Sequence, residues 1–271
     1  MSADVHSVPS SVPVRPAPEA GRSSGSLIVA WQHPDSRLIS PVGRLDHGPG
    51  VRYRFRYLRT ASEVTGFQPF LSFPEWSGDY RSERLFPLFS QRIMSPRRSD
   101  FAEYLRQLHL DSNATPWEQL SRSEGRRTGD TVQVFPIPSI EADGSSTCCF
   151  LAHGIRHVTG GVLPPLEQGD RLGLRTDPEN PVNPIAQVIL SPSGEDLGFV
   201  PDLLLEHLAA LGDTGPVTLT VEHVNGPDAP AHLRLLVRLD GVVPDGYRPM
   251  AGPRWELWPD RPRPFGIRDR T

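Results

Sequence analysis

The sequence predicts an α+β protein, with a mixed α/β front part followed by a β-rich back part. Three observations lead there. Apolar runs of strand length recur along the whole chain, several of them alternating residue by residue. Helical spacing appears in only a few places. Proline and glycine, 30 and 24 of 271 residues, punctuate most junctions. Four segments follow from these patterns: a leader over 1–25, a front domain over 26–140, a back domain over 141–243 and an extended tail over 244–271.

Residues 1–25 are rich in Pro, Ser and Ala and poor in apolar side chains, the composition of a disordered leader. Order begins with 27–32 (LIVAWQ), a strand, followed by 38–45 (LISPVGRL). The clearest strand is 51–58 (VRYRFRYL). Tyr53, Phe55 and Tyr57 share one face, and Arg52, Arg54 and Arg56 the other, because successive strand side chains alternate. The aromatic face belongs to a core. The arginine face is either a solvated edge or an anion- or partner-binding ladder, its guanidinium groups about 6.5–7 Å apart and able to follow phosphates or acidic side chains. Apolar runs at 67–73 and 85–94 come next. Ser99 or Asp100 is the expected cap of a helix carrying Phe101, Tyr104, Leu105 and Leu108 at i, i+3, i+4 and i+7. Thr115-Pro116-Trp117-Glu118 opens a second helix, with a cap, proline at the first helical position and an acid in the first turn. Gly125-Arg126-Arg127-Thr128-Gly129-Asp130 then leads into a strand at 131–135.

In the back part, 172–175 reads as a strand closed by Asp177-Pro178-Glu179-Asn180-Pro181, which is turn chemistry throughout. Residues 185–190 form an apolar run of strand length. Ser193-Gly194 turns the chain, and 197–200 returns it as a hairpin partner. Asp202 sits where a helix N-cap belongs, with Leu203, Leu204, Leu208 and Leu211 behind it. Residues 217–224 and 232–239 are two strands joined across Gly226-Pro227. In the tail, Trp255 and Trp258 are expected to strap back onto the front domain. There is no internal repeat.

Several function classes are excluded by what the chain lacks. No run of about 18 apolar residues exists, so no membrane span is expected, and the first residues have no apolar signal core, which points to the cytoplasm. Cys148 and Cys149 are the only cysteines; adjacency disfavours a bridge between them, and they read as buried thiols of a reducing compartment. No metal site at finger-like spacing and no cofactor motif is visible, so none is expected. All 28 basic residues are arginine, which removes Schiff-base chemistry and the P-loop lysine. No paired carboxylates, His-Glu metal motif or nucleophile elbow occurs, and the run from Arg126 to Asp130 reads as a loop entering a strand. The protein is therefore expected not to be an enzyme.

The ordered motifs of the back part, Gly154-Ile155-Arg156, the GDRLGL run at 169–174, the DPENP turn with Pro184-Ile185-Ala186, the hairpin, and Leu197-Gly198-Phe199-Val200-Pro201, resemble the HIRAN domain over roughly residues 148–212. HIRAN is a small β-barrel module found on helicase-like remodelling proteins and also alone in bacteria. The resemblance implies an OB/SH3-like β-barrel and capture of a free 3′ end of single-stranded DNA. It points to Arg156, His157, Arg175, Asn180, Asn183 and Phe199 as nucleic-acid-binding residues, with Arg171 beside them. Where DNA-capturing members carry tyrosines after the GxR motif, this chain has His157 and Val158. Where they carry Asn-Pro-Tyr-Asp, it has Asn180-Pro181-Val182-Asn183. Each base–aromatic stack contributes about 1–3 kcal/mol, so the affinity implied is weak.

Residues 37–136 resemble the N-terminal subdomain of HipA-type toxin kinases in Val42-Gly43-Arg44-Leu45, the Tyr53–Tyr57 strand, the run from Leu85 to Arg92, and the Gly-rich stretch before Thr131-Val132-Gln133-Val134-Phe135-Pro136. The kinase active site of such proteins lies in a larger C-terminal region, and no HRD-type loop or DFG occurs here, so kinase activity does not carry over.

Charge sets the resemblance against a competing reading. The front, 26–140, holds 15 Arg and 12 carboxylates, net +3; residues 141–247 hold 5 Arg and 15 carboxylates, net −10. Backbone affinity for nucleic acid comes from neutralising phosphates, which an acidic surface opposes. Two expectations follow. One is an accessory protein that binds a single-stranded DNA end weakly, in DNA repair or defence. The other is a protein-interaction adaptor, or an antitoxin-like regulator of a HipA-type partner, that binds no nucleic acid.

Overall fold

A computed structural model describes residues 25–49, 51–127 and 129–259; most of the leader and the last twelve residues lie outside them. The protein is mixed α/β, built on two antiparallel sheets. In the first, β1 (Gly25–Gln32), β2 (Ile39–Gly48) and β3 (Val51–Tyr57) form a meander. The short β4 (Tyr80–Ser82) extends it beyond β3, and β5 (Val132–Pro136) pairs with β1 on the other side. Between β4 and β5 the chain forms α1 (Pro87–Ser90), α2 (Phe101–Gln107) and α3 (Pro116–Arg122). The second sheet takes β6 (Ser139–Ile140), β7 (Ser145–Leu151), β8 (Arg171–Thr176), β9 (Gln187–Leu190), β10 (Asp196–Phe199), β11 (Thr218–Val224) and β12 (Leu235–Val242), in the order β10-β9-β8-β11-β12-β7-β6. Two helices interrupt it: α4 (Ile155–Thr159) after β7, and α5 (Leu205–Thr214) after β10.

The alternation of β3 holds. Tyr53, Phe55 and Tyr57 are buried among Phe67, Phe73, Phe89 and Trp117, each large ring contributing on the order of 2 kcal/mol by leaving water. β1 is apolar on both faces, and the fold uses both. Leu27 and Val29 enter this aromatic core, while Ile28 and Ala30 enter the core of the second sheet with Phe150, Ile189 and Leu197. The two halves therefore share a strand as a common wall.

Several sequence expectations are corrected. The apolar run at 67–73, to which the sequence assigns no element, forms turns. The Tyr57 hydroxyl donates to the Phe73 carbonyl (2.8 Å) and accepts from the Phe70 N–H (2.7 Å), so the loop is held from below and Leu71 projects fully into solvent (100 % exposed). Asp100 precedes α2 without capping it, because its carboxylate is paired with Arg98 (2.8 Å). Asp202 is not the N-cap of α5 but opens a 3-10 turn, Asp202–Leu204, that leads into the helix. α3 follows its pattern: Thr115 Oγ1 accepts from the Glu118 N–H (3.2 Å), and the Glu118 carboxylate accepts from the Thr115 N–H (2.7 Å).

The barrel expectation is corrected as well. The edges of the second sheet approach each other, but among the described residues they meet through one residue pair, His153 and Phe199. β7 ends at Leu151 and the chain turns into α4 at Gly154, so too little extended backbone remains to continue a ladder. In the tail, Trp258 packs on the front half as expected, whereas Trp255 enters the core of the second sheet. Leu257 bridges Leu58, the Trp258 N–H donates to Tyr57 O (3.0 Å), and Trp255 is buried with its Nε1 3.4 Å from Glu206 Oε2.

Candidate nucleic-acid interface

Of the predicted residues, Arg156, His157, Asn180, Asn183 and Phe199 lie around the C-terminal end of β10, whereas Arg171 is at the far end of β8, paired with Thr220, and the arginines of β3 belong to the first sheet. On one side lies α4. The His153 N–H donates to Phe199 O (2.9 Å), and the Phe199 N–H donates back to His153 O (2.8 Å). Gly154 follows with φ 71°, a conformation that side chains disfavour, and a Cβ there would stand 2.9 Å from the Phe199 ring. A Cβ on Gly198 would fall 2.5 Å from the His153 carbonyl oxygen. These two glycines let the root of α4 lie directly on β10. Phe199 is half-buried and its ring packs over Gly154, so its first role is structural.

The residue that sequence reasoning missed is Glu124, between α3 and β5. It is 2 % exposed and has φ 54°, unusual for a residue with a side chain. Its carboxylate lies 2.7 Å from His153 Nε2 and accepts from the Leu151 N–H (3.4 Å). The front half thus grips the chain where it leaves the second sheet for α4. Beside this pair, His232 has its pKa lowered to about 4, first by burial and then by the nearby Arg126 charge, with Glu124 opposing.

On the other side lies the loop 177–186. Asn180 shapes it: Oδ1 accepts from the Val182 and Asn183 N–H groups (both 3.1 Å), and Nδ2 donates to Asp177 (3.2 Å). Asn183 is committed too, its Nδ2 donating to Asp202 Oδ1 (2.9 Å) and its Oδ1 accepting from the Ile185 N–H (3.2 Å). The amide expected to meet a terminal hydroxyl is therefore already tied to a carboxylate. Because Asp202 follows β10 by three residues, the loop and α4 flank the stretch from Phe199 to Asp202.

Arg175, named with these residues from the sequence, is paired. Its Nη2 donates to both Asp196 oxygens (2.7 and 2.6 Å) across the sheet. Arg156 and His157 on α4 are exposed and their side chains make no hydrogen bond or ion pair among the described residues, and the Arg171 side chain stands in the same condition on β8. The arginine ladder of β3 is largely paired: Arg54 Nε lies 2.6 Å from Asp79, and Arg56 lies 3.8 Å from Asp46, which also holds Arg44 at 2.8 Å. Arg52 is exposed.

Other chemistry is sparse. Cys148 and Cys149 are unbridged, and burial raises both thiols, that of Cys149 to about 11, so they stay protonated at neutral pH. Among the described residues no group of three or more His, Cys, Asp or Glu side chains is arranged to hold a metal ion, and no helix is long and apolar enough to cross a membrane.

No family model matches this sequence, and no curated protein matches it. Among solved structures, the crystal structure of the HIRAN domain of human HLTF matches over 44 % of this chain and 100 % of that chain, at 16 % identity and a TM-score of 0.30. That superposition is too loose to transfer a fold. None of these comparisons supports the HipA-type likeness of residues 37–136.

Proposed function

We propose that this chain is a non-enzymatic, HIRAN-like accessory protein that holds the end of a single DNA strand between α4 and the loop 177–186. The observation that carries the reading is the state of α4: Arg156 and His157 stand unpaired on a root that both halves of the protein brace, while Arg175 is neutralised. An unpaired guanidinium on a rigid turn can take a phosphate without first breaking a salt bridge. The grip is weak for three reasons. Few cations are unpaired, the surrounding half is acidic, and the stacking rings are replaced by His157, Val158 and Val182. The Asn183–Asp202 pair brings negative charge beside the loop and disfavours a 3′-phosphate over a 3′-hydroxyl.

Fluorescence anisotropy with short single strands tests this. One phosphate contact, at Arg156, gives a slope of log K against log salt of about −0.7, with the 3′-hydroxyl strand bound more tightly. Arg156→Ala weakens binding. Equal, salt-insensitive, near-millimolar binding to both strands sinks the reading.

A second reading, a protein-interaction adaptor, is favoured by the fully exposed Leu71 on a loop anchored to Tyr57, and by the net −10 of residues 141–247. It predicts a stable complex that survives nuclease and is lost on Leu71→Ser.

A further inference from the structure

A second junction between the halves gathers two histidines and a carboxylate, and two irregularities of the backbone build it. α2 ends in a left-handed residue, His109, with φ 53°. The His109 N–H donates to Arg106 O and the Leu110 N–H to Leu105 O, both at 2.9 Å, a helix ending in which glycine usually holds the place of His109. In the second sheet, β11 carries a bulge: Val221 faces Val237 and His223 faces Leu236, so the buried Glu222 is the extra residue. The two irregularities converge. The His109 and His223 rings stack with centroids 4.9 Å apart and planes 26° from parallel, and His109 Nε2 lies 3.6 Å from Glu222 Oε1. The adjacent Leu108 packs with Leu151, Leu233 and Leu236. Hydrogen bonds orient the second ring. Asn225 Nδ2 donates to Gln107 O at the end of α2 (2.7 Å) and to Leu233 O (2.6 Å). Its Oδ1 therefore meets His223 Nε2 (3.0 Å), so that nitrogen donates and a further proton goes to Nδ1. Through Leu233, Asn225 also ties α2 to the 3-10 turn Ala231–Leu233, which packs against α4. Burial and then the His223 charge hold the His109 imidazole below its ordinary value; Glu222 opposes this, Arg122 of α3 adds to it, and Asp111 opposes it. Arg238 of β12, whose charge also meets Glu222, is bound to Asp240 (2.8 Å), and Cys149 of β7 stays a neutral thiol.

We propose that the His109–His223 stack is a proton-operated latch, which fastens the end of α2 to β11 while both rings are neutral and opens on acidification. It goes beyond the strand reading and does not depend on it. Two neutral imidazoles stack as aromatic rings do. Once one is charged, the other takes a proton less readily, so the pair titrates in two steps. Glu222 balances part of the first charge. The second adds a repulsion that Arg122 reinforces and that the exposed Asp111 offsets only in part. The imidazole at φ 53° is kept against backbone preference, which glycine or asparagine would satisfy better. Because the folded pair resists charging, its contribution is complete above the ordinary imidazole value of about 6.5 and is lost as pH falls below it.

Two measurements test the latch on the full chain. Hydrogen exchange read by mass spectrometry, corrected for the intrinsic effect of pH on amide exchange, follows residues 104–110 at pH 7.5 and pH 5. Protection falls several-fold at pH 5 in the wild type. It holds in His109→Asn, whose side chain suits the left-handed backbone, and in His223→Gln, which keeps an N–H donor on the side chain. Amides of the β1–β2 pairing stay protected in all three proteins, which separates the latch from global unfolding. In a proton NMR titration, the midpoint of His109 rises in His223→Gln, because the neighbouring charge is gone. Protection of 104–110 that is the same at both pH values in the wild type overturns the latch. So does an equal loss in the wild type and both variants, or a His109 midpoint that His223→Gln leaves unmoved.

Discussion

Truncating Glu124 separates two consequences of its position. In Glu124→Ala the carboxylate bound to His153 Nε2 and to the Leu151 N–H disappears from a site only 2 % exposed. Leaving a buried hydrogen-bonding group without its partner costs about 1–3 kcal/mol. Here both the His153 ring and the Leu151 N–H lose their partner, so the upper end applies, about 3 kcal/mol. The backbone at φ 54° remains unfavourable for alanine. Glycine relieves that by about 1 kcal/mol, so Glu124→Gly should cost about 2 kcal/mol, less than the alanine variant. This reverses the order expected at most sites, where glycine is the more damaging substitution. Urea unfolding followed by tryptophan fluorescence gives the comparison as a midpoint shift at constant slope. The reasoning fails if Glu124→Ala lies within about 0.5 kcal/mol of the wild type, or if the glycine variant is the less stable of the two.

Other outcomes follow from the same structure. Burial holds the His207 and His232 imidazoles at about 4, below the ordinary 6.5, so the unfolded chain protonates first; the stability they confer is complete above pH 6.5 and drains away as pH falls towards 4. The loss is roughly 2–3 kcal/mol for the enclosed His207 and less for the partly exposed His232, and a stability profile flat from pH 7 to 4.5 contradicts it. Both thiols should resist a disulfide reagent at pH 8 until the protein is unfolded, since burial keeps them protonated; rapid labelling of the native protein refutes this. Gly198→Ala drives a Cβ against the His153 carbonyl and should cost about 1–3 kcal/mol, together with strand binding, because it lifts α4 off β10. A variant of wild-type stability would show that α4 is not seated there.

What the sequence makes legible is local. The aromatic alternation of 51–58 requires only the period of a strand, and the Thr115–Glu118 capping box only four residues. The hairpin of β9 and β10 is announced by Ser193-Gly194. What stays hidden depends on partners distant in the chain. Arg175 meets Asp196 only because β8, β9 and β10 pair in a particular register, which no spacing reveals. Asp202 has the position of a helix cap but spends its carboxylate on Asn183. Glu124 follows a helix in an unremarkable Ser-Glu-Gly run, and nothing in that run indicates the histidine 29 residues later. The 67–73 run is held as turns by the Tyr57 hydroxyl, which binds two of its backbone groups, an anchor no periodicity can register.

The double-sided β1 bears on how such a chain can change over time. Residues lining its two faces belong to different cores, so a substitution that swells one side presses the strand toward the other, and repair must come from across the divide. The back half cannot be lifted out and grafted elsewhere as a ready-made cassette, because it would arrive with a bare greasy floor where Ile28 and Ala30 had rested. Whatever this protein grips, it has to be inherited with its support attached.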